Sequence, residues 1–289
     1  MMIVFLFCLC FFLFSTYFYW NVNFKNFHYT RVPILGYHNI SNLFNISATR
    51  VKVEAFRGHL KYLSDEGYHC LSLAEALPYL GKCSDPPQKS FVVIFDDGFQ
   101  DLLVDAIPLL KSFRFTASIF LVTGYLGQES RWDVLLRTHR QHHLSSSEIR
   151  TLLGDGFTIG SHTVNHPDLT LLPDNLILKE LIESKEFLEK TFNIPIHFLS
   201  YPFGRTEERV KSLVRQAGYR AALSQGQCQR QGSPDLMEIC TLPINVFDGN
   251  FNLENKLTRN QFFWLEQIKI ICLNQFSRGT PLIKPMKRV

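Results

Sequence analysis

Val92-Val93-Ile94-Phe95-Asp96-Asp97-Gly98 is the stretch from which the fold follows. A short apolar run rich in β-formers reads as a buried strand, and here two adjacent carboxylates cut it off. The glycine after them permits a tight turn, and a solvated Asp-Asp-Gly turn is the alternative for these three residues alone. Working outward, apolar runs of the same kind stand at 33–38, 117–123, 157–160, 196–201, 220–223 and 242–247. Helical patterns lie between them. One covers 53–65 and is closed by Gly67; another covers 174–192, with Leu178, Leu181, Ile182, Leu188 and Phe192 on one stripe. A third runs from a Thr206 cap to Gly218, and Ser145 with Glu148 forms a capping box that opens a short helix to 153. Strand then helix, repeated, implies an α/β fold with a parallel sheet, and closure into a barrel is the economical arrangement at this length.

In such a fold, chemistry gathers at the C-terminal ends of the strands, where the loops converge. Besides Asp96 and Asp97, two segments meet that condition. Ile159-Gly160-Ser161-His162-Thr163-Val164-Asn165-His166 carries two histidines at i and i+4, a spacing that lets them share a helical face and converge on one ion. No Glu follows the first, so this is not the H-E-x-x-H pattern. Ser200-Tyr201-Pro202-Phe203-Gly204 ends a strand in a turn that can aim a backbone N–H inward. Asp97, His162 and His166 together would form a site of two nitrogens and one carboxylate. Such a site leaves positions open, as a catalytic rather than a structural ion requires.

The composition narrows the class. The 289 residues are 46% hydrophobic and 19% charged, an ordinary globular balance. The net charge is +4, but Lys269, Arg278, Lys284, Lys287 and Arg288 all follow the last acidic residue, Glu266. The rest of the chain is therefore near neutral, which argues against nucleic acid as a partner. Seven cysteines show no C-x-x-C spacing outside the first ten residues or within them, so a zinc ribbon is excluded. Met1 to Trp20 contains only Ser15 and Thr16 outside the hydrophobic set, and no charge precedes Lys25. As a helix it would rise about 30 Å, enough to cross a bilayer core. Residues 1–24 are expected to be a transmembrane anchor or signal segment, 25–255 the catalytic domain, and 256–289 an amphipathic, basic tail. That tail either packs on the barrel or lies on a membrane surface. His139, His142 and His143 fall in a polar stretch and are expected to be exposed.

These motifs, taken together, resemble the polysaccharide deacetylases of the NodB homology type, carbohydrate esterase family four. The resemblance runs from about 32 to 246. It includes the F-D-D-G segment, T-A-S-I-F-L-V-T-G-Y-L-G from Thr116, G-S-H-T-x-x-H with Pro167-Asp168-Leu169-Thr170, and S-Y-P-F-G. Pro33-Ile34-Leu35-Gly36-Tyr37-His38 is similar to the P-I-L-M-Y-H segment of the circularly permuted branch. The resemblance implies an incomplete, TIM-like (β/α) barrel. It assigns Asp97, His162 and His166 to one divalent metal, usually zinc, Asp96 to the general base and His38 to the general acid. The Phe203 backbone N–H would stabilise the oxyanion, and Tyr201 would meet the substrate. Trp132 either stacks on a sugar ring or lies in the core.

Two positions depart from the family. Ser200 stands where an Arg often buttresses the base, and Gly36 stands where Met or Leu lies beside the acyl pocket, which implies a roomier pocket here. The implied activity is removal of N-acetyl groups from an N-acetylated glycan. An O-acetyl esterase on the same site and a silent glycan-binding module are the alternatives. The domain is expected outside the cytoplasm, although Lys25 and Arg31 on the C-terminal flank of the anchor favour the opposite side.

Overall fold

A computed structural model describes residues 31–42, 48–81, 84–130, 141–225, 235–260, 262–263, 265–266 and 268–270. In chain order the elements are β1 (Ile34–Tyr37), β2 (Asn39–Ile40), β3 (Arg50–Val51), α1 (Val53–Asp65), β4 (His69–Cys70), α2 (Leu73–Leu80) and β5 (Ser90–Phe95). There follow α3 (Leu102–Asp105), α4 (Ile107–Ser112), β6 (Ser118–Leu121), α5 (Ser146–Gly154), β7 (Thr158–Ser161), α6 (Asp174–Phe192) and β8 (Phe198–Ser200). The last are α7 (Glu208–Gln216), β9 (Ala221–Gln225), β10 (Ile239–Pro243) and α8 (Asn250–Thr258). The strands run β1-β10-β9-β8-β7-β6-β5, and β5 pairs back onto β1, so seven parallel strands close a ring. β4 adds to the start of β5, and β2 and β3 form a separate parallel pair.

The period of two along each strand sorts side chains into two cores. Ile34, Val92, Ile94, Phe120, Phe198, Ala221, Leu223 and Ile239 form one buried cluster, the barrel interior, with Leu73, Ala76 and Leu80 of α2 packed against it. The alternate residues, among them Leu35, Tyr37, Val93, Phe95, Ile119, Leu199 and Tyr201, belong to the layer between strands and helices. Each large apolar side chain fully withdrawn from water contributes about 1.5–3 kcal/mol before chain entropy is charged against it. Gly160 of β7 faces inward without a side chain because Phe120 fills its place; a Cβ there would lie 2.3 Å from the Phe120 ring. Carried one step past the strand ends, the inward parity selects His38, Asp96 and His162.

The expected elements differ from the observed ones at a few places. The last strand is Ile239–Pro243, not 242–247; beyond Pro243 the chain crosses over the barrel, with Ile244 N–H donating to Gly36 and Val246 N–H to Ala48. Thr206 does not cap α7, whose N-cap is Glu207 with no side-chain capping bond. The capping box at Ser145 and Glu148 is present, and a second one, Ser72 with Glu75, opens α2. Residues 1–24 lie outside the described residues, and among those described no helix is long and apolar enough to cross a membrane. Most of 256–289 is also outside them. The described part packs on the barrel: α8 runs through the 255/256 boundary, and buried Lys256 pairs with Asp248 at 2.5 Å. Lys269 pairs with both Asp248 and Glu266.

Beside this network His59 is fully buried. Its Nε2–H donates to the Asp248 carbonyl at 3.0 Å, and Nδ1 meets the Tyr37 hydroxyl at 3.1 Å. Burial pushes its pKa down to about 4, against the pull of Asp248, so the ring stays neutral. The unfolded chain protonates this ring near 6.5, so the stability its neutrality contributes is complete above pH 6.5 and is lost as pH falls toward 4. The shift corresponds to about 3 kcal/mol. We expect Tm to fall steadily across that window, and His59→Gln to flatten the slope; an unchanged slope in the variant would refute the assignment.

Candidate metal and catalytic site

The carboxylates that end β5 point to different partners because the backbone turns over at the second one: Asp97 has φ 69°, in the left-handed region. Such a conformation costs a non-glycine residue on the order of 1–3 kcal/mol and persists where the surroundings hold it. One support is His143. Its Nδ1 lies 2.8 Å from the Asp97 carbonyl oxygen, and because a carbonyl only accepts, Nδ1 carries the proton. The His143 ring is buried between Phe99 and Tyr125, at centroid separations of 5.0 and 5.8 Å. The expectation of an exposed histidine at 143 is therefore wrong: the polar stretch around it folds back across the end of β5, with Leu144 N–H donating to the Gly98 carbonyl. His139 and Trp132 lie outside the described residues.

His162 follows β7 and faces inward. Its Nδ1 meets the Ser200 carbonyl at 2.7 Å, so Nδ1 holds the proton and Nε2 presents a lone pair. Burial pushes its pKa down to about 4, with the Ser200 carbonyl pulling the other way. His166 does not share a helix with it. The chain between them is a loop with Thr163 and His166 at positive φ, and the turn, not a helical face, brings the two rings to 4.8 Å. Glu180 of α6 holds this loop, accepting from the N–H groups of Val164 (2.8 Å) and Asn165 (2.9 Å) and from the Asn165 amide (2.7 Å). The His166 pKa is also well below the usual value, chiefly through burial and then the neighbouring histidines.

Asp97 Oδ1 lies 3.6 Å from His162 Nε2 and 3.5 Å from His166 Nε2. The three donor atoms fall within 4.8 Å of one another. Ligands at about 2.1 Å on a tetrahedral ion stand about 3.4 Å apart, so the spacing fits a zinc-sized cation. A carboxylate facing an imidazole lone pair across a distance too long for a hydrogen bond is a donor set that a cation completes.

Asp96 is 2% exposed, and burial pushes its pKa up, with His38 and the Ser200 hydroxyl pulling it back. Its Oδ1 has no partner among the described residues. Register places His38 beside it, since Tyr37 pairs with Phe95 and the next residues on β1 and β5 are these two. Burial lowers the His38 pKa, the Asp96 charge raises it and His162 lowers it. Phe203 sits at φ 59°, ψ 10° in the turn after β8. Its ring meets His166 at 4.7 Å, and the Arg205 guanidinium lies 5.6 Å from the Phe203 centroid while pairing with buried Asp168 at 2.5 Å. Tyr201, expected to meet the substrate, does not enter this cluster of side chains. Its parity is that of Leu199, its hydroxyl donates to the Met237 carbonyl at 2.8 Å, and it is 1% exposed in the outer core.

The family model described as polysaccharide deacetylase matches residues 84–222. Those residues are a polysaccharide deacetylase domain. The match contains Asp96, Asp97, His162, His166 and Phe203, whereas His38 precedes it. YxkH of Bacillus subtilis (strain 168), a protein named for the same family, is 30% identical over 194 residues, 67% of this chain and 64% of its own length. The poly-β-1,6-N-acetyl-D-glucosamine N-deacetylase of Staphylococcus aureus (strain N315) is 25% identical over 183 residues, 60% of each chain. The chain thus spans less than two thirds of the length of these curated relatives. Among solved structures, the Streptococcus pyogenes deacetylase PplD in complex with acetate has a TM-score of 0.67 at 24% identity, covering 78% of this chain and 97% of that one. IcaB from Ammonifex degensii has a TM-score of 0.65 at 19% identity, covering 79% and 96%. At these identities the likeness establishes the barrel fold of the deacetylase domain.

Proposed function

We propose that this deacetylase domain hydrolyses N-acetyl groups of an N-acetylated polysaccharide, with a divalent cation, zinc by its donor set, held by Asp97, His162 and His166. The observation that carries the reading is the buried Asp96 carboxylate, with Oδ1 unpartnered, next to that three-residue donor set. A buried polar atom left without a partner costs roughly 1–3 kcal/mol, and in a native site it marks a group kept ready for a ligand or a proton. When bound, the cation would polarise the acetyl carbonyl and acidify a water.

The side chains divide the remaining work. Asp96 Oδ1 is placed to take a proton from the attacking water. The Phe203 N–H, fixed by the strained turn, is the donor for charge that develops on the acetyl oxygen. His38, adjacent to Asp96 in register, returns a proton to the leaving nitrogen, so that C–O formation and C–N cleavage yield acetate and a free amine. On this reading the polymer is of the poly-N-acetylglucosamine kind and lies outside the cytoplasm, with residues 1–24 tethering the domain. The test is acetate release by the full-length protein from a β-1,6-linked N-acetylglucosamine oligomer and from an O-acetylated xylan, before and after chelation and zinc return. Chelator-sensitive release from the oligomer is expected. Release from the xylan alone would make the enzyme an esterase, and zinc binding without release from either would make the domain a glycan-binding module.

A further inference from the structure

We propose that Gln225 is a positioning residue for this deacetylation: its side-chain amide ties the base Asp96 to the acid His38, and its backbone seats the turn that carries Phe203. The inference rests on the deacetylase reading above and concerns a residue that none of the motifs contains. Gln225 is the last residue of β9 and shares its inward parity with Ala221 and Leu223, which belong to the barrel interior. It therefore enters the same upper layer as His38, Asp96 and His162.

The Gln225 Nε2 lies 3.3 Å from His38 Nε2 and 3.4 Å from Asp96 Oδ2. An amide nitrogen has two hydrogens, one for each neighbour. The opposite amide orientation would set its oxygen against the carboxylate, so an ionised Asp96 selects the orientation seen. With Oδ2 tied, the Asp96 oxygen left without a partner is Oδ1, which orients the base toward the reacting water. With Nε2 accepting, the resting His38 ring is neutral with its proton on Nδ1, and it acts as the acid once a second proton makes it the imidazolium. One side chain thus sets which Asp96 oxygen is left to accept and how the His38 ring is oriented.

Two glycines fit this role. A Cβ on Gly36 would lie 3.5 Å from Thr241 Oγ1 and 3.8 Å from Gln225 Nε2. The room left by the missing side chain at 36 is thus bordered by the Gln225 amide, and a methionine there would run into it. Gly204, at φ 63°, closes the Phe203 turn directly on Gln225, where a Cβ would come within 2.5 Å of the Gln225 Cβ and 2.6 Å of its N. Movement of Gln225 would therefore be felt by the oxyanion turn as well as by the acid–base pair.

The experiment compares full-length Gln225→Leu, Gln225→Glu and Asp96→Asn with the parent on the β-1,6-linked N-acetylglucosamine oligomer, measuring kcat, KM, bound zinc and Tm. Leucine removes the amide, and glutamate keeps its size but removes the donor. Loss of a hydrogen bond to a charged group predicts a kcat lower by about 10–100-fold in both. KM, zinc content and Tm should stay near the parent values. If Asp96→Asn is inactive and both Gln225 variants keep kcat within about twofold, the positioning role is overturned and the deacetylase reading stands. If both variants lose zinc or Tm in proportion to kcat, Gln225 is only structural and the proposal is equally overturned. If the parent releases no acetate, or Asp96→Asn is fully active, the deacetylase reading itself fails.

Discussion

Asp97→Ala and His162→Ala are each expected to lower acetate release by roughly a thousandfold or more and to abolish stoichiometric zinc binding. The size follows from the role proposed for the donor set: a cation that polarised the carbonyl would supply several kcal/mol of stabilisation in the transition state, and each 1.36 kcal/mol is tenfold in rate. Removing Asp97 leaves two neutral imidazoles, His162 buried and His166 partly so, and no negative charge to hold a dication. Removing His162 takes away the nitrogen whose orientation the Ser200 carbonyl fixes. The comparison is made by titrating zinc into chelated protein while following Tm, because a ligand that binds only the folded state raises it. The parent should gain stability with zinc, and the two variants should not. A variant that keeps both the zinc-dependent rise in Tm and the activity would remove that residue from the site.

Asp96→Asn, by contrast, is expected to keep zinc and lose the reaction, with kcat lower by about 10²–10⁴-fold. Asparagine has nearly the shape of aspartate but accepts no proton, and Asp96 is not part of the three-atom donor set. The two variants therefore separate binding of the ion from the proton transfer. In the parent, burial raises the Asp96 pKa and its neighbours pull it back only in part. In the zinc-free protein the Asp96 carboxyl should therefore titrate above the ordinary carboxylate range near 3.9, and zinc, as a nearby cation, should lower that value. Zinc-replete Asp96→Asn protein with parental kcat would dismiss the base assignment.

Much of this site is readable without coordinates. Asp96 and His162 each stand one residue past the end of a strand and Asp97 two past it, and the strand ends of a parallel barrel are where polar residues converge. The period of two even sorts them, since His38, Asp96 and His162 have the parity of the interior while Tyr201 has that of the outer core. Applied to β8, the same rule would have kept Tyr201 away from the substrate, and applied to β9 it would have drawn attention to Gln225. His143 carried no such signal. It lies 46 residues from the carbonyl it supports and belongs to no regular element, so only the folded loop brings it under Asp97. The i, i+4 spacing of His162 and His166 marks them as candidate metal ligands but misleads as a helix, because spacing alone does not distinguish a helical turn from a loop held at positive φ.

By itself, then, the sequence determined most of the barrel strands, the order of the motifs and the kind of chemistry, because buried strands and their polar terminations are local patterns. The tertiary structure decided who meets whom. Pairing of β1 with β5 closes the ring and sets His38 beside Asp96, and that contact depends on a register between segments more than fifty residues apart. Inward-facing side chains from β1, β5 and β9 share one layer only once the barrel is closed. Gln225 thereby reaches both His38 and Asp96, and no pattern within its own strand specifies those partners.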